Sequence, residues 1–120
     1  MIHFNTGINV FMNIVGGKWK CLILFFLSQN SVRTKEFYAL IPGITQKVLT
    51  DQLRQLEKDG LVKREIFQEV PPKVEYSLTE LGQSFVPVLN TMCDWGNEYA
   101  VLKEIKSDGQ IHCTHQNNHQ

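Results

Sequence analysis

The chain carries no surplus of either charge: its 12 basic and 12 acidic residues cancel over 120 positions. That excludes a polybasic nucleic-acid tail, so any nucleic-acid site has to be a local patch. Long hydrophobic runs are missing too. The longest, Cys21 to Leu27, has seven residues, and a membrane span needs about 18 or more. No Lys or Arg precedes Lys18, and Asn9 and Asn13 interrupt the first apolar stretch, so no signal peptide is expected. The three cysteines, Cys21, Cys93 and Cys113, form no CxxC pair. An odd, widely spaced set fits a reducing cytosol better than a disulfide scaffold, and a cytoplasmic protein is expected. There is no phosphate-binding glycine loop, no GxSxG and no HExxH, which leaves an enzyme little to work with. What is present is ordinary globular composition, 42% hydrophobic and 20% charged. A chain of this length buries about two-thirds of its unfolded surface, so it needs neither a disulfide nor a metal to fold.

Hydrophobic periodicity orders the chain. Ile8, Phe11, Met12 and Val15 recur at helical spacing, which predicts a helix over 5–15 capped by Asn5 or Thr6 and broken by Gly16-Gly17. A second helix over 18–28 shows a broad apolar face of Trp19, Leu22, Ile23, Phe26 and Leu27. Thr34 reads as the cap of a short third helix with Phe37, Tyr38 and Ile41 facing inward. Pro42-Gly43-Ile44 makes a tight turn, and Thr45 caps a fourth helix over 46–59 that buries Leu49, Leu53 and Leu56. Gly60 ends it, and Leu61 folds back on the last turn. From Leu61 to Leu78 the period drops toward two. Val74, Tyr76 and Leu78 alternate with Lys73, Glu75 and Ser77, residues 62–68 supply a partner strand, and Pro71-Pro72 marks the exposed hairpin tip. Thr79 then caps one long helix over 80–106 carrying Phe85, Val88, Leu89, Met92, Trp95, Tyr99 and Leu102, with a local bend at Pro87. Residues 107–120 read as a loose polar tail.

A short helix, a glycine-containing turn and an amphipathic second helix form a helix-turn-helix, and the hairpin behind it makes the winged form. The fold class expected is mainly α with a small β-hairpin wing (α+β). The second helix of such a pair enters the DNA major groove. With its leucines buried, its outer face shows Gln46, Lys47, Thr50, Asp51 and Arg54. Gln pairs bidentately with adenine, and Lys or Arg with guanine. Arg33 and Lys35 start the preceding helix, placed for phosphates; Arg64 and Lys73 flank the wing tip, placed for a neighbouring phosphate or the minor groove. Residues 31–76 hold eight basic and seven acidic side chains, which argues for low nonspecific affinity without excluding a specific site. A winged protein-interaction module that does not read DNA stays open at this point, since fold alone does not set function.

The segments IVGGKWKCLIL (Ile14 to Leu24), IPGITQKVLTDQLRQLEKDGLVKR (Ile41 to Arg64) and VPPKVEYSLTELG (Val70 to Gly82), followed by DWG (Asp94 to Gly96), resemble the HxlR-type winged helix-turn-helix regulators. These are bacterial transcription factors related in fold to the MarR group. The resemblance runs over 6–103, which is the DNA-binding domain it implies. It also implies a homodimer built from the first and last helices that represses or activates a nearby gene. The last helix is apolar on a stripe wider than one small core can cover, which points to the same pairing. A symmetric dimer sets two recognition helices about 34 Å apart, matching a pseudo-palindromic operator. Several members of the family carry a Cys-Pro pair ten residues before the first glycine of GGKW and sense electrophiles with that thiol. Here those positions are Thr6 and Gly7, so the sensing thiol is missing.

Three other groups have a chemical reading beside a bland one. His112, Cys113, His115 and His119 are metal-ligand types, but no apolar frame surrounds them to make a site, and no metal or cofactor is assigned. Cys93 offers a reactive thiol at a dimer seam, but it and Cys21 read first as buried structural cysteines. Trp19 and Trp95 offer stacking surfaces for an unknown small-molecule effector, yet aromatics at helical spacing are more often core.

Overall fold

The computed structural model describes residues 5–106. The metal-ligand types of the tail therefore lie outside the described residues, as does Cys113. The chain divides into two compact units, with the division between Ser84 and Phe85.

The first unit begins with α1 (Gly7–Val15). Thr6 caps it: its hydroxyl accepts from the Asn9 amide at 3.2 Å, and the Asn9 carboxamide accepts from the Thr6 amide at 3.1 Å. The reciprocal pair satisfies two donors that a helix start leaves open. The next helix, α2, spans Lys20–Gln29. Its buried residues are Lys20, Ile23, Leu24 and Leu27. Sequence periodicity places Leu22 on that face; it is instead 40% exposed, and a lysine opens the buried stripe. Positions 20, 23, 24 and 27 keep the same three–four spacing as the expected set but are shifted along it, so the buried face of the helix is turned by about one residue.

A two-residue strand, β1 (Val32–Arg33), comes next. Periodicity cannot reveal so short a strand. After it stand a 3₁₀ turn at Thr34–Glu36 and α3 (Phe37–Leu40). The start is capped differently from expectation. Thr34 lies inside the turn, and the Glu36 carboxylate accepts from the Arg33 amide at 2.7 Å. Phe37 and Ile41 are buried, but Tyr38 is not. Adjacent residues on a helix point about 100° apart, so four residues bury only one of the two aromatics. Gly43, at φ +90°, makes the turn into α4 (Gln46–Lys58).

Thr45 caps α4 by accepting from the Val48 amide at 3.2 Å. Leu49, Leu53 and Leu56 are buried as expected. Gly60 takes φ +85°, its amide bonds to the Glu57 carbonyl at 3.1 Å, and the Leu61 amide reaches the Leu56 carbonyl at 3.0 Å. That is a Schellman ending, which needs a residue free of Cβ strain at the glycine position. The wing is β2 (Val62–Phe67) and β3 (Lys73–Leu78), antiparallel, pairing from Val62–Leu78 to Phe67–Lys73. The sheet order is β1-β3-β2. Because β3 is flanked on both sides, five of its six residues are half-buried and the clean alternation expected for it is blurred.

Thr79 ties the end of the wing to the start of the next helix. Its amide bonds to the Leu61 carbonyl at 3.0 Å, and its hydroxyl accepts from the Gly82 amide at 3.0 Å. A Cβ on Gly82 would lie 2.2 Å from the Leu61 carbonyl oxygen, so no side chain fits there. The long helix expected after Thr79 is in fact two, α5 (Glu80–Gln83) and α6 (Val86–Leu102). Pro87 explains the break rather than a bend. Inside a continuous helix it would lose its bond to the Gln83 carbonyl and clash with it, whereas in the first turn of a new helix its missing N–H costs nothing.

In the second unit, α6 buries Leu89 while Val88, Met92, Trp95, Tyr99, Val101 and Leu102 are exposed. The Trp95 and Tyr99 rings stack at 5.3 Å. Trp95 is therefore not a core residue in the single chain, contrary to expectation. Cys93, read from the sequence as a buried structural cysteine, is half-buried and disulfide-bonded. Among the described residues no single helix is long and apolar enough to cross a membrane.

Candidate nucleic-acid interface

Four of the eight residues expected to face DNA line one cleft of about 760 Å³: Arg33, Lys35, Gln46 and Lys73. They arrive from four places in the chain: the end of β1, the 3₁₀ turn, the first residue of α4 and the first residue of β3. Antiparallel pairing of Arg33 with Glu75 draws the first of these to the wing. The Thr45 cap aims the start of α4, with its unpaired N–H groups, at the same opening. The cleft's other walls are Thr34, Tyr38, Glu69, the two prolines of the wing tip and Val74.

The other four do not line the cleft. Lys47 projects from the first turn of α4 and pairs with Asp51 at 3.1 Å. Its side chain is 84% exposed, and an exposed pair at this spacing is worth only about 0.3–0.5 kcal/mol. Thr50 is half-buried beside Leu49 at the edge of the apolar face. Arg54 and Arg64 act with Glu57 on the Tyr76 phenol. Burial pushes that phenol up, the two guanidinium groups pull it down, and Glu57 pushes it up. Arg64 pairs with Glu57 at 4.0 Å and lies opposite Tyr76 in the hairpin. It sits midway along the wing, three pairs below Phe67–Lys73, and does not flank the tip as the sequence reading has it. The shift is about 10 Å of strand.

Lys73 is at the tip end, but its ammonium is engaged. It lies 4.5 Å from the Phe67 ring centre and 3.9 Å from the Glu69 carboxylate. Tyr38 and Glu69 are cleft residues that sequence pattern does not single out. Helical spacing turns Tyr38 inward, and Glu69 reads only as part of a turn, although its spacing of four to Lys73 signals a pair.

Thr6, at the family's sensing position, commits its hydroxyl to the α1 cap. The free thiol among the described residues is Cys21. Burial pushes its pKa up from 9.0. A thiol with a raised pKa is a poor nucleophile at neutral pH. Alkylation at pH 8, measured on the Cys21 peptide by mass spectrometry, should run slower in the folded chain than in urea. The neutral thiol favours the fold below the unfolded pKa, and that contribution fades as pH rises through the folded one. Equal alkylation rates in both states would contradict the burial argument.

Comparison with known proteins agrees with this architecture. Residues 14–113 match the family described as HxlR-like helix-turn-helix. The chain is 51% identical over 111 residues to the HTH-type transcriptional regulator YkvN of Bacillus subtilis (strain 168), covering 92% of this chain and 94% of the relative. It is 47% identical over 102 residues to an HTH-type transcriptional regulator of Methanothermobacter thermautotrophicus, covering 85% of this chain and 78% of the relative. The redox regulator HypR in its oxidized form superposes with a TM-score of 0.75 at 43% identity, over 78% of this chain and 96% of that one. A winged helix-turn-helix, matched over most of its length by such regulators, belongs to the HxlR-like helix-turn-helix family of DNA-binding transcriptional regulators.

Proposed function

We propose that the chain works as a cytoplasmic homodimer that grips a pseudo-palindromic operator and acts by binding, without catalysis. The observation that carries this reading is the convergence of Arg33, Lys35, Gln46 and Lys73 on one cleft. A phosphodiester strand fits between wing and recognition helix there, with Arg33, Lys35 and Lys73 on its phosphates. Gln46 and Lys47, in the first turn of α4, reach base edges. Arg54 and Arg64 approach the backbone farther along the helix and midway along the wing. Thr50 packs at the groove edge.

Support for the dimer comes from uncovered apolar side chains. On α1, Ile8 and Met12 are 72% and 54% exposed; on α6, Trp95, Val101 and Leu102 are 66%, 78% and 79% exposed. Exposed apolar surface of this kind, on each of the two helices, marks an interface. The test is a titration against the duplex upstream of the chain's own gene and against random duplex at several salt concentrations, with sedimentation alongside. Tighter binding to the upstream duplex by a dimer is the expected result. Equal weak binding to both duplexes would favour a protein-interaction role, and tight specific binding by a monomer would end the dimer reading.

The wing carries its own prediction. Lys73→Ala should weaken binding to cognate and random DNA alike and lower the salt slope by about one. Glu69→Gln should do the reverse, because it removes a carboxylate from the phosphate path and frees Lys73. A loss confined to one DNA sequence would assign Lys73 to base reading instead.

A further inference from the structure

We infer that Lys20 is a positioning residue for DNA binding: its buried ammonium, donating to the Ile14 carbonyl, locks the elbow between α1 and α2 and thereby sets the spacing of the two recognition helices in the dimer. The inference rests on the reading of α1 as a dimer arm.

The two helices meet at 79° across four residues, 16–19. Several features hold that angle. Gly16 is packed against the end of α1, where a Cβ would lie 2.2 Å from the Met12 carbonyl oxygen. Gly17 takes φ +95°, a conformation that side chains resist. The Cys21 thiol donates to the Val15 carbonyl at 3.6 Å. Lys20 Nζ donates to the Ile14 carbonyl at 3.3 Å, although the residue is only 6% exposed.

A lysine is an odd occupant for this place. It is the first position of the buried stripe of α2, ahead of Ile23, Leu24 and Leu27. Burying a charge is unfavourable unless it is hydrogen-bonded. A hydrophobe would fill the space, but it would offer the end of α1 no donor. The last turn of α1 contains no basic residue of its own. Lys20 therefore supplies the positive charge that the negative end of that helix favours. Apolar packing has no direction; an ammonium bound to one carbonyl does. What the lysine adds is the direction of α1.

That direction matters because α1 presents Ile8 and Met12 outward. A nine-residue helix is about 13 Å long. Swinging it by about 15° at the elbow moves its far end about 3.4 Å, one base-pair step. A loose elbow would let two reading heads accept half-sites at several separations; a stiff one accepts a single separation.

The probe is a palindromic duplex selected from a random library by the wild-type chain. Its companions are the same duplex with one central base pair inserted or removed. The wild type should prefer the parent by about tenfold or more. Lys20→Met, dimeric by sedimentation, should keep its preference for the half-site sequence while its spacing preference shrinks to about threefold or less. Lys20→Arg, which keeps the charge and a donor, should restore it. A merely structural loss would weaken all three duplexes equally. A folded, dimeric Lys20→Met with undiminished spacing preference overturns the inference. Should Lys20→Met fail to fold, Gly17→Ala decides, since open space surrounds that position and only its backbone angle is disturbed; unchanged spacing preference there overturns it as well. Failure of the dimer reading shows separately, in a wild-type chain that binds as a monomer or is indifferent to spacing, and it takes the inference with it.

Discussion

Gln46→Ala is expected to cost about 1–3 kcal/mol on the cognate duplex and to relax preference at one base position, and Lys47→Ala should behave likewise at another. Gln46 is the first residue of α4 and lines the wing cleft; Lys47 stands next to it, with its side chain 84% exposed. Neither supports the core, so the fold should be unchanged in circular dichroism and thermal melting. The two should differ in salt response. Lys47 gives up its bond to Asp51 when it binds, and Asp51 is then left to accept from a cytosine amino group or to repel a phosphate. Binding measured across a panel of single-base operator variants decides the matter. Unchanged affinity and unchanged base preference in both alanine variants would remove α4's first turn from the reading head.

Phe37→Ala should have a larger effect, on stability. Phe37 is fully buried, and its ring meets Tyr76 edge-on at 6.3 Å. Truncating a buried phenylalanine costs about 3–5 kcal/mol through lost burial and the cavity left behind. A domain of this size has only about 5–15 kcal/mol of net stability, so melting should fall by roughly 10 °C or more. The consequence reaches the interface. Phe37 ties the first helix of the helix-turn-helix to β3, and that contact keeps Arg33 and Lys35 beside the wing. Even below the melting temperature, DNA affinity should drop, with the loss shared by all sequences. A melting temperature within a degree or two of wild type would mean that the pocket around Phe37 collapses without cost.

Much of this molecule is written in local pattern. The leucine stripe of α4, the Thr45 cap, the glycine that ends the helix and the paired prolines of the wing tip each act within a few residues, so spacing alone reveals them. The order of elements is enough to identify a winged helix-turn-helix, and the GGKW, PPKVEYSLTELG and DWG motifs point to the family that comparison shows. Placement at single positions is legible as well: Gln46, Lys47 and Arg54 are exposed on α4 because three buried leucines leave only one face to show.

What the pattern does not contain depends on contacts between distant segments. Helical periodicity runs unbroken from Glu80 onward, yet Pro87 cannot share a helix with the carbonyl four residues before it, and the element splits. The strand β1 is two residues long and exists only because β3 has a free edge beside it. Arg64 reads as flanking the wing tip in the sequence; the register places it midway along the hairpin, three pairs below Phe67–Lys73, against Glu57 of another element. Trp95 satisfies every periodicity test for a core residue and is nonetheless exposed, because amphipathic spacing says that a face is apolar and not what covers it. Lys20 is the converse. Composition alone puts a lysine in water, and only the geometry of a carbonyl at the end of a preceding helix makes burial tolerable for its charge. Sequence periodicity determines which surfaces must be hidden; the tertiary structure decides against what, since that depends on which distant backbone groups happen to come within reach.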